Sequence, residues 1–221
     1  MVKLAKDSGL VAIPSDNAIL ETLVNKYTPD AQKYPTTTKR VELGKVLYLD
    51  PRISKSGLIS CNTCHNLGLG GVDGIPASTG HLWTPNPSHL NAPTVYNSVF
   101  NSSQFWDGRA NHLADQAQGP IQAGPEMAAS PDLVIKKIES MPEYVKMFKE
   151  AYDENVKIDF PLVATTSGTM QAFQIAAKYE FIDIGGFKGD KNSMVKTPTL
   201  RNVGLTAPYF HNGTIWSLKK P

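Results

Sequence analysis

The feature that most constrains this chain is a pair of cysteines three residues apart with a histidine directly after the second, Cys61-Asn62-Thr63-Cys64-His65. The 221 residues contain no other cysteine. Positions i and i+3 share one face of a helical turn, so both thiols can add to the two vinyl groups of a single haem edge. The adjacent histidine then reaches the iron. The spacing therefore predicts one covalently bound haem c.

Three other uses of the cysteine pair are open at this point: a redox-active disulfide, half of a zinc site and a structural disulfide. Zinc in a structural site takes four protein ligands. A thioredoxin-like motif opens a helix in a β-α-β unit, and residues 45–49, with Pro51 and Gly57 after them, do not predict one. We therefore favour covalent haem, which makes the chemistry of this chain redox chemistry.

Size and composition limit the fold. A 221-residue chain with 41% hydrophobic content can bury a core in one large domain or two small ones. Its 16 prolines and 17 glycines favour short helices joined by long ordered loops. We predict a mainly α fold of cytochrome c-like haem domains with little β. Residues 41–48 (VELGKVLY) have helical apolar spacing at Val41, Leu43, Val46 and Leu47, which predicts a helix beside the haem.

Charge and hydropathy point away from two classes of partner. The net charge of +2 gives no long-range field that would attract nucleic acid or an anionic membrane. No run of residues approaches the roughly 18 apolar positions of a transmembrane helix. Residues 1–10 lack the charged and then apolar order of a signal peptide, so we expect a mature, processed chain with no membrane span.

The group on the second axial position of a haem iron separates an electron carrier from an enzyme that acts on oxygen or peroxide. Histidines other than the motif's own stand at positions 81, 89, 112 and 211, and there are six methionines. His81 is slightly favoured, because it lies nearest to the motif and follows the flexible Gly80. The residues alone leave the other candidates open.

Five longer strings together closely resemble the bacterial di-haem cytochrome c peroxidases, in the same order and over nearly the whole chain. They are LISCNTCHNLGLGG (58–71), GHLW (80–83), LNAPTVYNSVFNSSQFWDGRA (90–110), LADQAQGPIQAGPEM (113–127) and TPTLRNVGLTAPYFHNGTIW (197–216). The resemblance implies an enzyme that reduces hydrogen peroxide to water in the periplasm. It also implies a homodimer that takes electrons from a small c-type cytochrome or a cupredoxin.

The resemblance assigns roles to residues around the first haem. It implies that His65 is the proximal ligand and that His81 is a distal ligand that leaves the iron on reductive activation. Gln116 and Glu126 match polar residues that face bound peroxide, where one carboxylate can take a proton from the near oxygen and return it to the leaving oxygen. Without the resemblance, Glu126 would be interpreted as an exposed turn residue and Gln116 as a helix surface residue.

Further matches concern electron transfer and calcium. Trp106 matches the tryptophan between the two haems of the family, although a lone tryptophan is usually a packing residue. His211 matches a residue beside the second haem. Asn91, Thr206 and Pro208 match calcium ligands at the domain interface, the last two through backbone carbonyls, and calcium prefers such oxygen ligands.

The chain departs from the family because it has no second CxxCH motif. Residues 1–160 match an N-terminal peroxidatic haem domain. Residues 167–221 match a partial C-terminal domain without its haem-binding segment, since a long stretch of the family pattern is missing around residues 160–166. Three explanations are open: residues absent from this sequence, a deletion, or a true mono-haem variant. We favour the first, because strings such as TAPYFHNG serve to close a second domain.

Two alternatives to the peroxidase stay open. A mono-haem electron-transfer cytochrome would keep both His65 and His81 on the iron, and His211 would then be a surface residue. A di-haem oxidase acting on another substrate would keep the same scaffold. The presence of Gln116 and Glu126 favours peroxide chemistry.

Overall fold

The computed structural model describes residues 16–28, 31–32, 35–170 and 203–218, and the single positions 7, 14 and 196. Within these residues the chain forms α-helices, short 3₁₀ turns and isolated β-bridges, and no strand. The helices are α1 (Asn17–Asn25), α2 (Thr38–Leu49), α3 (Cys61–Cys64), α4 (Leu113–Gln122), α5 (Pro131–Glu139), α6 (Pro142–Ala151) and α7 (Phe160–Met170). The 3₁₀ turns are Pro51–Ile53, Leu67–Leu69, His81–Trp83, Ser98–Phe100 and Val203–Leu205. The predicted mainly α fold with long loops is confirmed.

The main core lies where α7 packs against α2 and α4. Leu43, Leu47 and Val163 are fully buried there, and each such side chain stabilises the fold by ~1.5–3 kcal/mol. Val41 is buried as the apolar spacing predicts. Val46 is 37% exposed, because it lies on the face of α2 opposite to the buried residues.

The turn between α2 and α3 is fixed by a buried carboxylate. Asp50 caps the 3₁₀ turn and accepts hydrogen bonds from the backbone and the side chain of Arg52. The hydroxyl of Tyr144, on α6, donates to the same carboxylate at 2.8 Å. Burial alone would raise the pKa of Asp50, but the hydrogen bonds from Arg52 and Tyr144 outweigh it and lower that pKa. This turn delivers the chain to the cysteine motif.

The described C-terminal residues, 203–218, lie against loops of the first part of the chain. The backbone N–H of Asn91 donates to the carbonyl of His211 at 2.7 Å. Gly213 lies so close to Pro76 that a Cβ at position 213 would stand 2.4 Å from the Pro76 Cα. None of the helices in the described ranges is long and apolar enough to cross a membrane.

Candidate haem site

Both cysteines lie on the single turn α3, and they are not joined by a disulfide. Burial raises the pKa of Cys61 to about 11 and that of Cys64 to about 12. Both groups are therefore thiols near neutral pH, whereas the cysteines of redox motifs have a lowered pKa. A thioether to haem forms by net addition of S–H across a vinyl group. The raised pKa values fit this attachment better than a redox-active pair, and no group of three or more His, Cys, Asp or Glu residues in the described ranges could hold a metal ion.

Three separate elements hold His65. Its backbone N–H donates to the carbonyl of Cys61 at 3.0 Å, its own carbonyl accepts from the Tyr48 hydroxyl at 2.5 Å, and its Nδ1 lies 3.0 Å from the carbonyl oxygen of Pro93. A carbonyl oxygen only accepts, so Nδ1 carries the proton in this contact and Nε2 keeps its lone pair. Burial lowers the pKa of His65, which favours the neutral ring that binds metals. The residue fits a proximal iron ligand.

The loop after His65 is held by side chains from residues 94–96. The Tyr96 hydroxyl donates to the carbonyl of Leu67, and the Thr94 hydroxyl donates to the carbonyl of Gly70 at 2.7 Å. Gly71 has a φ of +79°, and a Cβ there would stand 3.0 Å from the Thr94 hydroxyl. The glycine run thus allows a close approach of two backbones.

His81 opens a 3₁₀ turn. The chain just before this turn lies beside α3, because the Cys64 thiol donates a hydrogen bond to the Thr79 carbonyl, with 3.6 Å between Sγ and oxygen. Leu82 and Trp83 follow with positive φ angles of 57° and 59°, and both side chains are exposed. Among the residues that the structure describes, the buried Nδ1 of His81 has no hydrogen-bond partner. Buried polar atoms of native proteins are normally partnered, so the ring fits a side chain whose partner is a bound group.

Gly80 joins the His81 turn to the loop that carries Glu126. A Cβ at Gly80 would stand 1.8 Å from the carbonyl oxygen of Pro125 and 2.8 Å from the Cα of Glu126. The two backbones are therefore in direct contact. The Glu126 carboxylate also raises the pKa of the Cys64 thiol. The fold thus brings together the cysteine motif, His81 and Glu126, which are far apart in sequence.

Arg109 is the cation that acts on Glu126. Burial raises the pKa of Glu126, and the positive charge of Arg109 opposes that rise. The Arg109 guanidinium lies 3.4 Å from the centre of the Phe105 ring and makes a 2.9 Å ion pair with Asp107. Phe105 in turn packs on α4, where a Cβ at Gly119 would stand 2.9 Å from its ring.

Gln116 lies half-buried on α4, one turn before Pro120, which cannot donate to the Gln116 carbonyl because it has no N–H. Across the described ranges its side chain makes no hydrogen bond to His81 or Glu126. A distal role for Gln116 therefore remains a prediction.

Trp106 and His211 lie next to each other, with ring centroids 6.3 Å apart at an angle of 74°. The Trp106 indole N–H donates to the carbonyl of Asn91 at 2.9 Å. The side-chain amide of Asn91 donates to the carbonyl of Pro208 at 2.5 Å and to that of Phe210 at 3.3 Å. Two of the predicted calcium residues are thus in contact.

Thr206, the third of them, donates from its hydroxyl to the carbonyl of Val203 at 3.3 Å within its own turn. Its methyl group faces Gly70, where a Cβ would stand 3.5 Å away. The predicted role of Thr206 uses its backbone carbonyl, and that role remains a prediction.

Sequence reasoning missed several residues of this site. They are Tyr48, Tyr96, Pro93, Gly80 and Arg109. Tyr48 lies on the predicted helix, and the helical spacing of apolar residues indicates a core position. That spacing does not indicate what the Tyr48 hydroxyl bonds to. The contacts of the other four join parts of the chain that no local pattern connects.

Comparison with known proteins gives one consistent family. Residues 38–180 match the family model described as "Di-haem cytochrome c peroxidase". The cytochrome c551 peroxidase of Pseudomonas aeruginosa is 37% identical, over 84% of this chain and 71% of the relative. The cytochrome c551 peroxidase of Nitrosomonas europaea is 36% identical, over 84% of this chain and 72% of the relative.

Solved structures share the fold as well. A MauG-like protein associated with microbial copper homeostasis superimposes with a TM-score of 0.72 and 19% identity, covering 87% of this chain and 77% of that one.

The alignment with the Pseudomonas protein contains more positions than this chain contributes residues. It extends over 247 positions, yet 84% of 221 residues is about 186 residues, so about 60 aligned positions have no counterpart in this chain.

Proposed function

This chain belongs to the di-haem cytochrome c peroxidase family, and from that premise we propose that it reduces hydrogen peroxide to two waters with two electrons and two protons. The haem c that the family implies would be held by Cys61, Cys64 and His65. When bound, it supplies the iron at which the O–O bond of peroxide is reduced.

One observation carries the distal half of this proposal. The backbone of Gly80 lies directly against Pro125 and Glu126, so the His81 turn and the Glu126 loop are in contact with each other. In the described part of the chain the His81 ring has a buried nitrogen without a partner, and the Glu126 carboxyl group is half-buried. The closeness of these two groups supports the proposal. Peroxide reduction needs both an accessible axial position and a group that moves protons.

Glu126 is the group that we assign to proton transfer. Cleaving peroxide requires a base for the proton of the near oxygen and an acid for the leaving oxygen. Burial raises the pKa of Glu126 towards the working pH, so one carboxyl group can serve in both roles. Arg109 limits that rise and keeps the carboxylate form available. We assign Gln116 to the same pocket on the family resemblance.

Trp106 is the residue that we assign to electron entry. Its ring lies beside His211, and its indole N–H is fixed by the Asn91 carbonyl. In the family a second haem lies on this side. We propose that residues 167–221 are part of that second domain, after a first domain of residues 1–160. The positions of the Pseudomonas relative with no counterpart here support a missing segment.

We further propose a calcium ion at Asn91, with the carbonyls of Thr206 and Pro208. The Asn91 amide faces the Pro208 carbonyl. Rotation of that amide would present Oδ1 at the same point, and a cation could then lie between oxygens, as calcium prefers. The electron donor would be a small c-type cytochrome or a cupredoxin, the location the periplasm, and the assembly a homodimer. These four assignments rest on the family.

The test is peroxide-dependent oxidation of a reduced small c-type cytochrome by the holoprotein. We expect two donor molecules to be oxidised for each peroxide consumed, after partial reduction of the enzyme. If the holoprotein binds haem but shows no turnover under these conditions, the peroxidase assignment is wrong.

A mono-haem electron carrier is the second candidate, because the sequence contains one CxxCH motif. The two functions differ in the fate of His81. In a carrier both axial positions stay filled, so adding carbon monoxide leaves the spectrum of the reduced protein unchanged. In a peroxidase the spectrum shifts.

A further inference from the structure

The Tyr48 hydroxyl makes a contact that the reaction chemistry above does not use. Tyr48 lies in the last turn of α2, and its side chain is fully buried. Its hydroxyl donates to the main-chain carbonyl of His65 at 2.5 Å. The ring packs with Val95 and Tyr96, and Cys61 borders the same cluster.

Packing alone does not account for this hydroxyl. A phenylalanine would fill the same volume between α2 and α3, apart from one oxygen atom. Burying a hydroxyl is unfavourable unless it finds a hydrogen-bond partner, and the His65 carbonyl is the partner that it finds. The carbonyl gains equally, since a buried carbonyl without a donor is also unfavourable.

The contact acts on the residue that matters most for the iron. His65 ends α3 with a φ of −124° and a ψ of 60°, outside the helical region, so the helix does not fix its carbonyl group. The Pro93 carbonyl holds the ring and the Cys61 carbonyl holds the N–H. Tyr48 holds the third polar group, and with it the peptide plane from which the ring projects.

We propose that Tyr48 is a positioning residue whose hydroxyl fixes the His65 peptide, and thereby sets how firmly the imidazole binds the haem iron and at what potential that iron is reduced. The inference rests on the proposed haem attachment. The positive end of the O–H dipole points towards His65, so it disfavours the additional charge of ferric iron.

The experiment compares Tyr48→Phe with the wild-type holoprotein. We expect the variant to have a lower reduction potential at the haem bound to Cys61 and Cys64, corresponding to about a tenfold change in the ferric-to-ferrous equilibrium, or about 59 mV for one electron. We also expect the iron–histidine stretching band to shift in resonance Raman spectra. These spectra are recorded on the ferrous protein with His81→Gly, in which His65 is the single axial ligand.

Two other buried tyrosines provide matched controls. Tyr144 is 3% exposed and donates to Asp50 in a different cluster, so Tyr144→Phe loses a buried hydrogen bond without touching His65. We expect Tyr144→Phe to leave the reduction potential and the iron–histidine stretching band unchanged. Tyr96→Phe frees the carbonyl of Leu67, two residues beyond His65, and we expect a smaller shift in the same direction.

Each outcome decides something. Unchanged potential and band in Tyr48→Phe would show that the hydroxyl only packs. Equal shifts in Tyr144→Phe, or larger shifts in Tyr96→Phe, would show a general loss of stability, and either result overturns the inference. Absence of haem from the wild-type protein overturns the proposed function as well, so the two failures are distinguishable.

Discussion

The two sides of the candidate haem site are held by hydrogen bonds that differ in the sequence separation of their partners. On the proximal side, residues 65–71, carbonyls accept hydrogen bonds from other parts of the chain: His65 from Tyr48, Leu67 from Tyr96 and Gly70 from Thr94. On the distal side, residues 79–84, the backbone bonds are local, such as the one from Gly80 to the Thr84 carbonyl.

The distal side also has groups in unfavourable arrangements. His81 has a buried nitrogen without a partner in the described part of the chain. The next two residues have positive φ angles, which are unfavourable for side chains with a Cβ. Contact between Gly80 and Pro125 holds the turn in place. The proposed roles match this difference, with His65 held firmly as the proximal ligand and His81 as the ligand that leaves the iron.

Removing both thiols should have the largest effect. Without Cys61 and Cys64 no thioether can form at this motif, so we expect Cys61→Ala combined with Cys64→Ala to lose the haem attached here and all peroxidase activity. The measurement is the haem that stays with the tryptic peptide of residues 56–109. Either single variant, which retains one thiol, serves as the control. Haem on this peptide of the double variant would refute the attachment and, with it, the comparison of the two sides.

Glu126→Gln tests the chemistry of the distal side. We expect kcat to fall by about 10²- to 10⁴-fold, the usual contribution of a proton-transferring group, with haem content unchanged. The matched control is Gln122→Ala, which changes an exposed side chain at the end of α4 and should leave kcat unchanged. An active Glu126→Gln enzyme would mean that another group moves the protons.

The pH profile adds a second readout for the same residue. Burial raises the pKa of Glu126, and the base must be deprotonated to accept a proton. Activity should therefore decline as the pH falls through this raised pKa, above the ordinary carboxyl range. We expect this acidic limb in kcat/KM of the wild-type enzyme and its disappearance in Glu126→Gln. A limb that persists in the variant belongs to a different group.

Gly80→Ala tests whether close packing holds the distal turn. The new Cβ would overlap the Pro125 carbonyl at 1.8 Å, so the two loops must separate, at ~1–3 kcal/mol for an overpacked contact. We expect a lower free energy of unfolding and altered distal ligation in electron paramagnetic resonance spectra. Gly124→Ala is the matched control, because a Cβ there meets nothing within 4 Å. Equal behaviour of the two variants would show that packing at Gly80 is unimportant.

Removal of calcium should have the smallest effect of these changes. Chelation is expected to reduce activity of the wild-type enzyme by loosening the contact between Asn91 and residues 203–218, and Asn91→Ala should be insensitive to the chelator. The readouts are activity and thermal midpoint with and without added calcium. Equal sensitivity of wild type and variant would place any calcium elsewhere.

More of the proximal side than of the distal side could be predicted from the sequence. The cysteine spacing and the adjacent histidine are a local pattern, so haem attachment followed directly from Cys61, Cys64 and His65. The predicted helix formed too, although Val46 faces outwards, because apolar spacing alone does not say which face meets the core. The contact between Gly80 and Pro125 joins residues 45 positions apart, and nothing local marks it.

The hydroxyl of Tyr48 shows the same limit in another way. Periodicity places its ring in the core, but its bonding partner depends on how α2 and α3 pack. Roles for His81, Glu126, Trp106 and Asn91 came from the family resemblance, since each residue type has commoner structural uses. The fold then brought Glu126 to the His81 turn and Trp106 to Asn91, which no spacing in the sequence could indicate.

The central claim, a haem tethered above His65 by two thioethers, can be tested most directly by mass spectrometry of one tryptic peptide. Trypsin cuts after Lys55 and Arg109 and at no residue between them, so residues 56–109 form a single peptide with both cysteines, His65 and His81. We expect this peptide to carry the mass of one haem and to absorb visible light. A colourless peptide of unmodified mass, or one with a disulfide between Cys61 and Cys64, would contradict the account.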